Sequence, residues 1–217
     1  TAIIVQQQWL KKALADYARV PIHVSHPDYV APEQNVSAVS ESAEKIFFYP
    51  AFPRVFKNHQ VLCEAIQYLD DAIKNRVRII FTLTGSENLY AKSLKWRYGH
   101  LPQIQFAGHL SYSDTQKLLA QSAGLLFPSK LETWGLPLTE AKHMKKRIIA
   151  SDLGYARETV GDYEAVVYII PDDPKAWAKA MSRCVVDQSS IHTPIAKPYM
   201  RPDTVGPVAL LQYMLSQ

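Results

Sequence analysis

The chain has 217 residues, 47% hydrophobic and 20% charged, the composition of an ordinary globular protein with room for one main domain and an appendage. Its formal charge of +4 is too mild to argue for nucleic acid or another polyanion as partner. No run reaches the roughly 18 apolar residues of a membrane span, the opening TAIIVQQQWLKK lacks the order of a signal peptide, and the two cysteines, Cys63 and Cys184, fall in amphipathic helical patterns, which fits a reducing cytoplasmic compartment better than a disulfide framework.

In chain order, residues 1–30 predict a short strand (AIIVQ), a helix (WLKKALADYA) and an extended PIHV. The chain opens at Thr1 inside that first strand, so the expectation is that 1–30 closes an upstream acceptor-binding half and that its apolar set, Ile3, Ile4, Val5 and Trp9, packs only loosely on the domain C-terminal to it. The polar stretch 31–45 reads as a linker. From 46 to 187 apolar runs and helical periodicity alternate with little filler: the run IFFYP at 46–50; a helix over 58–74 with Leu62, Ile66, Leu69 and Ile73 on one face; RVRIIFTLTG at 76–85; a helix from Leu89 to Arg97; IQFAG at 104–108; a helix capped by Ser111 or Ser113; GLLFP at 124–128; a helix after Pro137; IIAS at 148–151; a short helix at Tyr155–Val160; AVVYII at 165–170; and a helix opened by DDP at 172–174. The strands are apolar on consecutive positions, as in a parallel sheet covered on both faces. The fold expected is α/β, a doubly wound, Rossmann-like parallel sheet of about six strands. Residues 188–217 read as a C-terminal extension ending in the helical run PVALLQYMLSQ.

The stretch LFPSKLETWGLPLTEAKHMKKR at 126–147 concentrates the chemistry. Its strand ends at Pro128-Ser129, and Pro137 suits the first turn of a helix, where its absent N–H is not needed. The free N–H groups around Trp134, Gly135 and Leu136 then lie at the positive end of a helix dipole, an anion-binding arrangement. Gly135 allows close backbone approach. Glu132 precedes this turn and Glu140 lies about one helical turn beyond it, leaning back toward the N-terminus. A phosphate site flanked by two hydroxyl-accepting carboxylates suits a sugar nucleotide, although an acid in the first turn of a helix also needs no ligand to explain it.

Taken in order, the loops at the carboxyl ends of these strands resemble the C-terminal, donor-binding half of GT-B glycosyltransferases of the retaining family-4 type. The resemblance covers 46–187 and rests on E-x7-E with an aromatic-Gly pair inside it (Glu132 to Glu140), on the FPS that precedes it at 127–129, on IASDLGYARETVGD at 149–162 and on YPAFPRVFKNHQVL at 49–62. It implies that Lys57 neutralises the donor diphosphate together with the amides near Trp134, Gly135 and Leu136, that Glu140 accepts hydrogen bonds from the ribose hydroxyls, and that Glu132 holds the transferred sugar or the phosphate edge. Glu132 and Lys57 are the catalytic candidates. One departure concerns the arginine that the family carries five residues before this lysine: the position is Phe52 here, and Arg54, three residues before, either substitutes from a shifted position or is a surface residue. Gly85 either ends its strand for backbone reasons or, with Ser86 and Glu87, borders the ligand; His109 stacks near the base or is a loop histidine.

No Asp-x-Asp and no His/Cys cluster with ligand spacing occurs in the chain, so no metal is called for and the only cofactor-like molecule expected is the nucleotide-diphosphate sugar donor. The resemblance implies transfer with retention to a glycan or lipid-linked acceptor, in partnership with an N-terminal GT-B half. Two other classes stay open, a non-catalytic nucleotide-sugar binding module and a sugar-nucleotide epimerase of GT-B type. The basic cluster KHMKKR at 142–147 is read as a helix end at the dipole's negative pole, with no more than weak peripheral attachment to the inner membrane face.

Overall fold

A computed structural model of the chain describes residues 1–29, 44–186 and 202–216. Most of the expected linker and the first part of the C-terminal extension lie outside the described residues. The main body is a six-stranded, wholly parallel sheet built from β3 (Lys45–Tyr49), β4 (Val77–Phe81), β5 (Ile104–Phe106), β6 (Gly124–Phe127), β7 (Arg147–Ser151) and β8 (Val166–Ile169), in the order β5-β4-β3-β6-β7-β8. Consecutive residues Phe47, Phe48 and Tyr49 are fully buried, as are Leu125 and Leu126. Both faces of these central strands are covered, which is why their sequences run apolar without alternating. Each such large side chain taken from water contributes about 1.5–3 kcal/mol before the entropy of ordering it is charged.

The connecting helices are α2 (His59–Ala65), α3 (Asp71–Lys74), α4 (Leu89–Tyr98), α5 (Tyr112–Gln121), α6 (Leu136–His143), α7 (Gly154–Val160) and α8 (Pro174–Val186). The long helix expected over 58–74 is broken. A 3-10 turn, Ile66–Tyr68, follows α2; Leu69 and Asp70 are extended, and Asp70 stands before α3. Leu62, Ile66, Leu69 and Ile73 are nevertheless all buried, so the periodicity identified the buried face correctly while the adjacent aspartates, poor interior helix formers, redirected the chain. The strand expected over 76–85 ends at Phe81.

A second, three-stranded parallel sheet, β1 (Ile3–Val5), β2 (Ile22–His26) and β9 (Thr204–Val205), carries α1 (Gln8–Leu14) and α9 (Gly206–Leu215). Of the apolar set expected to pack loosely, Ile4 is exposed and Ile3 half-buried, but residues 1–29 as a segment are docked on the main body, contrary to expectation. Val5, Gln7 and Val24 are buried and Trp9 packs on the main core. The Gln7 side-chain amide donates to the Tyr155 carbonyl at 3.0 Å and to Thr159 Oγ1 at 2.7 Å. The Gln8 N–H donates to the Glu158 carboxylate at 2.7 Å, and His26 Nε2 lies 3.2 Å from the same group. Buried polar groups require partners, and α7 supplies them. Among the described residues no helix is long and apolar enough to cross a membrane.

Candidate active site

The strand order reverses between β3 and β6, and open α/β sheets bind ligands in the crevice beyond the carboxyl ends of the strands at such a reversal. The two loops that leave those strands carry Lys57 and Glu132. Tyr49, the last residue of β3, is fully buried and its hydroxyl donates to the Lys57 carbonyl at 2.7 Å. A 3-10 turn, Val55–Lys57, is closed by Asn58 in the left-handed region at φ 56°. The Asn58 side chain donates to the Pro171 carbonyl at 2.9 Å, and the Lys130 N–H donates to the Phe56 carbonyl at 2.7 Å, tying one loop to the other. The Lys57 ammonium meets the Glu132 carboxylate at 2.5 Å, with side chains 20% and 12% exposed. An ammonium has three donors, so this pairing leaves two for an incoming phosphate.

The second loop is held from beneath. Tyr155 Oη donates to the Ser129 carbonyl at 2.6 Å, and Thr159 Oγ1 donates to the Trp134 carbonyl. The Trp134 ring is buried, with Nε1 donating to Thr139 Oγ1 at 2.9 Å and its centroid 4.5 Å from that of His26. Trp134 therefore offers a ligand its amide and not its ring. Gly135 stands at the start of α6 with φ 92°, a conformation that side-chain-bearing residues rarely adopt. The N–H groups of Trp134, Gly135 and Leu136 donate to no carbonyl among the described residues.

Glu140 is 8% exposed. Burial pushes its carboxyl above the usual range, and the side chain of Gln116 beside it acts in the opposite direction. The two glutamates are differently employed: Glu132 is paired with Lys57, whereas Glu140 faces Gln116, with Tyr29 close by. Arg54 is exposed, its guanidinium 5.5 Å from the centroid of Phe52, so the residue standing where the family has arginine lends its ring to the nearby arginine. In the loop after β4, Gly85 adopts φ 86° and a Cβ there would lie 2.4 Å from Lys95 Cδ. The amides of Thr84, Gly85 and Ser86 all donate to the Glu87 carboxylate, at 2.5, 3.1 and 3.1 Å. That small anion-binding concavity is filled by the chain's own acid, Glu87. His109 is exposed beyond β5.

The supports from Tyr49, Asn58, Ser129 and Thr159, and Gln116 beside Glu140, were missed in the sequence; only Asn58, the first residue of the helix predicted over 58–74, carried a local signal. The basic cluster is dispersed: Lys142 donates to the Val160 carbonyl at 3.0 Å, Lys146 to the Ser122 carbonyl at 2.9 Å and Arg147 to the Cys184 carbonyl at 3.2 Å. These cations satisfy carbonyls at or beside helix ends instead of forming one outward patch.

Residues 31–197 match the family described as glycosyl transferases group 1. Over 79 residues the chain is 28% identical to the O-antigen chain mannosyltransferase RfbU of Salmonella typhimurium, an alignment covering 36% of this chain and 22% of that protein. Among solved structures it resembles TarM, at 19% identity and a TM-score of 0.66 over 85% of this chain and 36% of that one. It also resembles Alr3699/HepE of Anabaena, solved with UDP and glucose, at 18% identity and a TM-score of 0.66 over 86% of this chain and 54% of that one. The chain thus spans about a fifth of RfbU, about a third of TarM and about half of HepE, and the structural likenesses are likenesses of fold. With the family matched over most of its length and the sheet of one GT-B half in place, the chain belongs to the glycosyl transferases group 1.

Proposed function

We propose that this chain is the donor-binding half of a retaining glycosyltransferase that takes a sugar from a nucleotide-diphosphate sugar and passes it to a glycan or lipid-linked acceptor. The observation that carries the reading is the meeting of Lys57 and Glu132, 75 residues apart, at 2.5 Å in the crevice where the strand order reverses. Breaking a sugar–phosphate bond places negative charge on the departing diphosphate, and positioned N–H groups and a lysine stabilise it electrostatically. Lys57 and the amides of Trp134, Gly135 and Leu136 take that role, with Arg54 reaching the outer phosphate from its place on Phe52. Glu140 accepts the ribose hydroxyls, Glu132 orients the sugar or phosphate edge, and His109 borders the base. Family membership and the UDP and glucose held by HepE support a nucleotide-sugar donor. Titration calorimetry with UDP, GDP and the corresponding nucleosides tests the reading: the diphosphates should bind more tightly than the nucleosides, and a chain that binds none of them refutes it.

A further inference from the structure

Gln116 lies on α5 and is 1% exposed; the Glu140 carboxylate beside it acts on the side chain, yet neither its amide oxygen nor its amide nitrogen has a partner at full hydrogen-bonding distance and angle among the described residues. Buried polar side chains are normally satisfied, because an unmade bond forfeits the hydration that the group had in the unfolded chain. The same helix buries Leu119 and Ala120, so packing alone would be served by an apolar residue at 116. The Gln116 side chain sits against the Glu140 carboxyl, which is itself buried. Tyr29, whose hydroxyl is likewise buried without a partner at full hydrogen-bonding distance and angle among the described residues, lies beside Tyr112 and near Glu140. Three elements thus bring an amide, a carboxylate and a phenol near one another with hydrogen-bonding capacity only partly used.

A vicinal diol complements this set. Each of its hydroxyls donates one hydrogen bond and accepts others, so a diol can donate to a carboxylate and to an amide oxygen while accepting from an amide N–H. We propose that Gln116 forms the ribose-binding pocket jointly with Glu140. The ribose 3′-hydroxyl donates to the Glu140 carboxylate, the 2′-hydroxyl donates to Gln116 Oε1 and accepts from Gln116 Nε2, and the Tyr29 hydroxyl closes the pocket. Gln116 then makes the site distinguish ribose from deoxyribose, because a deoxy sugar leaves the buried amide unsatisfied. This rests on the reading of Glu140 as the ribose-binding acid and adds to it an amide held in readiness at the cost of stability.

The test titrates the 217-residue chain with UDP, dUDP, GDP and dGDP and records thermal melting without ligand. The wild type should prefer the ribonucleotide of whichever pair it binds. Gln116→Leu should reduce that ribo-to-deoxy preference by about tenfold, the combined effect of two modest hydrogen bonds to one hydroxyl, and should leave deoxynucleotide affinity close to wild type. It should melt at or above the wild-type temperature, because an unsatisfied amide has been replaced by an apolar group of similar size. Gln116→Met serves the same purpose if leucine's branch does not fit. An unchanged ribo-to-deoxy ratio in a folded variant, or a lowered melting temperature, overturns the role of Gln116 and leaves the donor reading intact. Failure of the wild type to bind any of the four nucleotides overturns the donor reading, and this proposal with it.

Discussion

Replacing Lys57 by alanine separates the diphosphate from the rest of the nucleotide. The substitution removes only the head group's chemistry, because the bond that fixes this loop runs from Tyr49 Oη to the Lys57 backbone carbonyl and survives it. Two effects then add. The attraction between ammonium and phosphate is lost, and Glu132, 12% exposed and previously paired at 2.5 Å, becomes an uncompensated anion beside the phosphate site. Two unit charges at 4 Å interact by about 4 kcal/mol at an effective dielectric of 20, and water reaching a side chain 20% exposed reduces this, so the loss for a diphosphate should be about 1–3 kcal/mol, roughly 5- to 150-fold in Kd. The nucleoside, with no phosphate, should lose under about 0.5 kcal/mol, the range of an uninvolved surface change. Removing Glu132 as well should restore on the order of 1 kcal/mol, since repulsion by the stranded carboxylate disappears, and a double-mutant cycle isolates that coupling. Calorimetry of the wild type, Lys57→Ala, Glu132→Ala and the double variant with UDP, GDP and their nucleosides reads all of these. Equal losses for diphosphate and nucleoside, or a double variant as weak as Lys57→Ala, would refute the reasoning.

Gly135→Ala should destabilise by about 1–2 kcal/mol through its left-handed conformation, aggravated by a Cβ placed 3.3 Å from Leu138 Cδ1 and Phe127 Cε1; an unchanged denaturation midpoint would contradict this. The raised carboxyl of Glu140 means that the folded state holds this proton more readily than the unfolded chain, so stability is greatest below the usual glutamate value of about 4.3 and declines as pH rises through the higher folded value. Glu140→Gln should therefore be more stable than wild type at pH ~7, with the advantage vanishing in acid, as urea denaturation across pH would show. His59 runs the other way. Fully buried among Tyr49, Phe81 and Tyr90, its imidazole is pushed down to about 3 by desolvation. The stability it contributes is complete above the unfolded value of about 6.5 and falls by up to about 1.4 kcal/mol per pH unit toward the folded one. His59→Phe should flatten that acid limb, and an unaltered pH profile would show that other groups drive it.

The α/β class, the element order and the apolar faces were legible in the sequence because each depends on near neighbours. Consecutive apolar residues mark a strand covered on both sides, Pro137 and Ser111 mark helix starts, and Leu62, Ile66, Leu69 and Ile73 recur at the spacing of one helical face. Glu132, Glu140, Gly135 and Lys57 were legible as candidates through their spacing around a turn and through their resemblance to a family. Tertiary structure alone decided what these residues are to one another. No local signal sets strand order, and it is the neighbouring of β3 and β6 that brings Lys57 onto Glu132. The inward turn of the Trp134 ring depends on Thr139 and His26, and the fate of the basic cluster depends on which carbonyls lie within reach of Lys142, Lys146 and Arg147. The docking of residues 1–29 depends on polar groups of α7 far along the chain. Gln116 shows the limit most plainly, since an amide in an amphipathic helix reads as a surface residue, whereas here it is buried with the Glu140 side chain of α6 beside it. Spacing reports what a segment does to itself, whereas burial, pairing and unmet hydrogen bonds arise between segments and exist only once the chain has closed on itself.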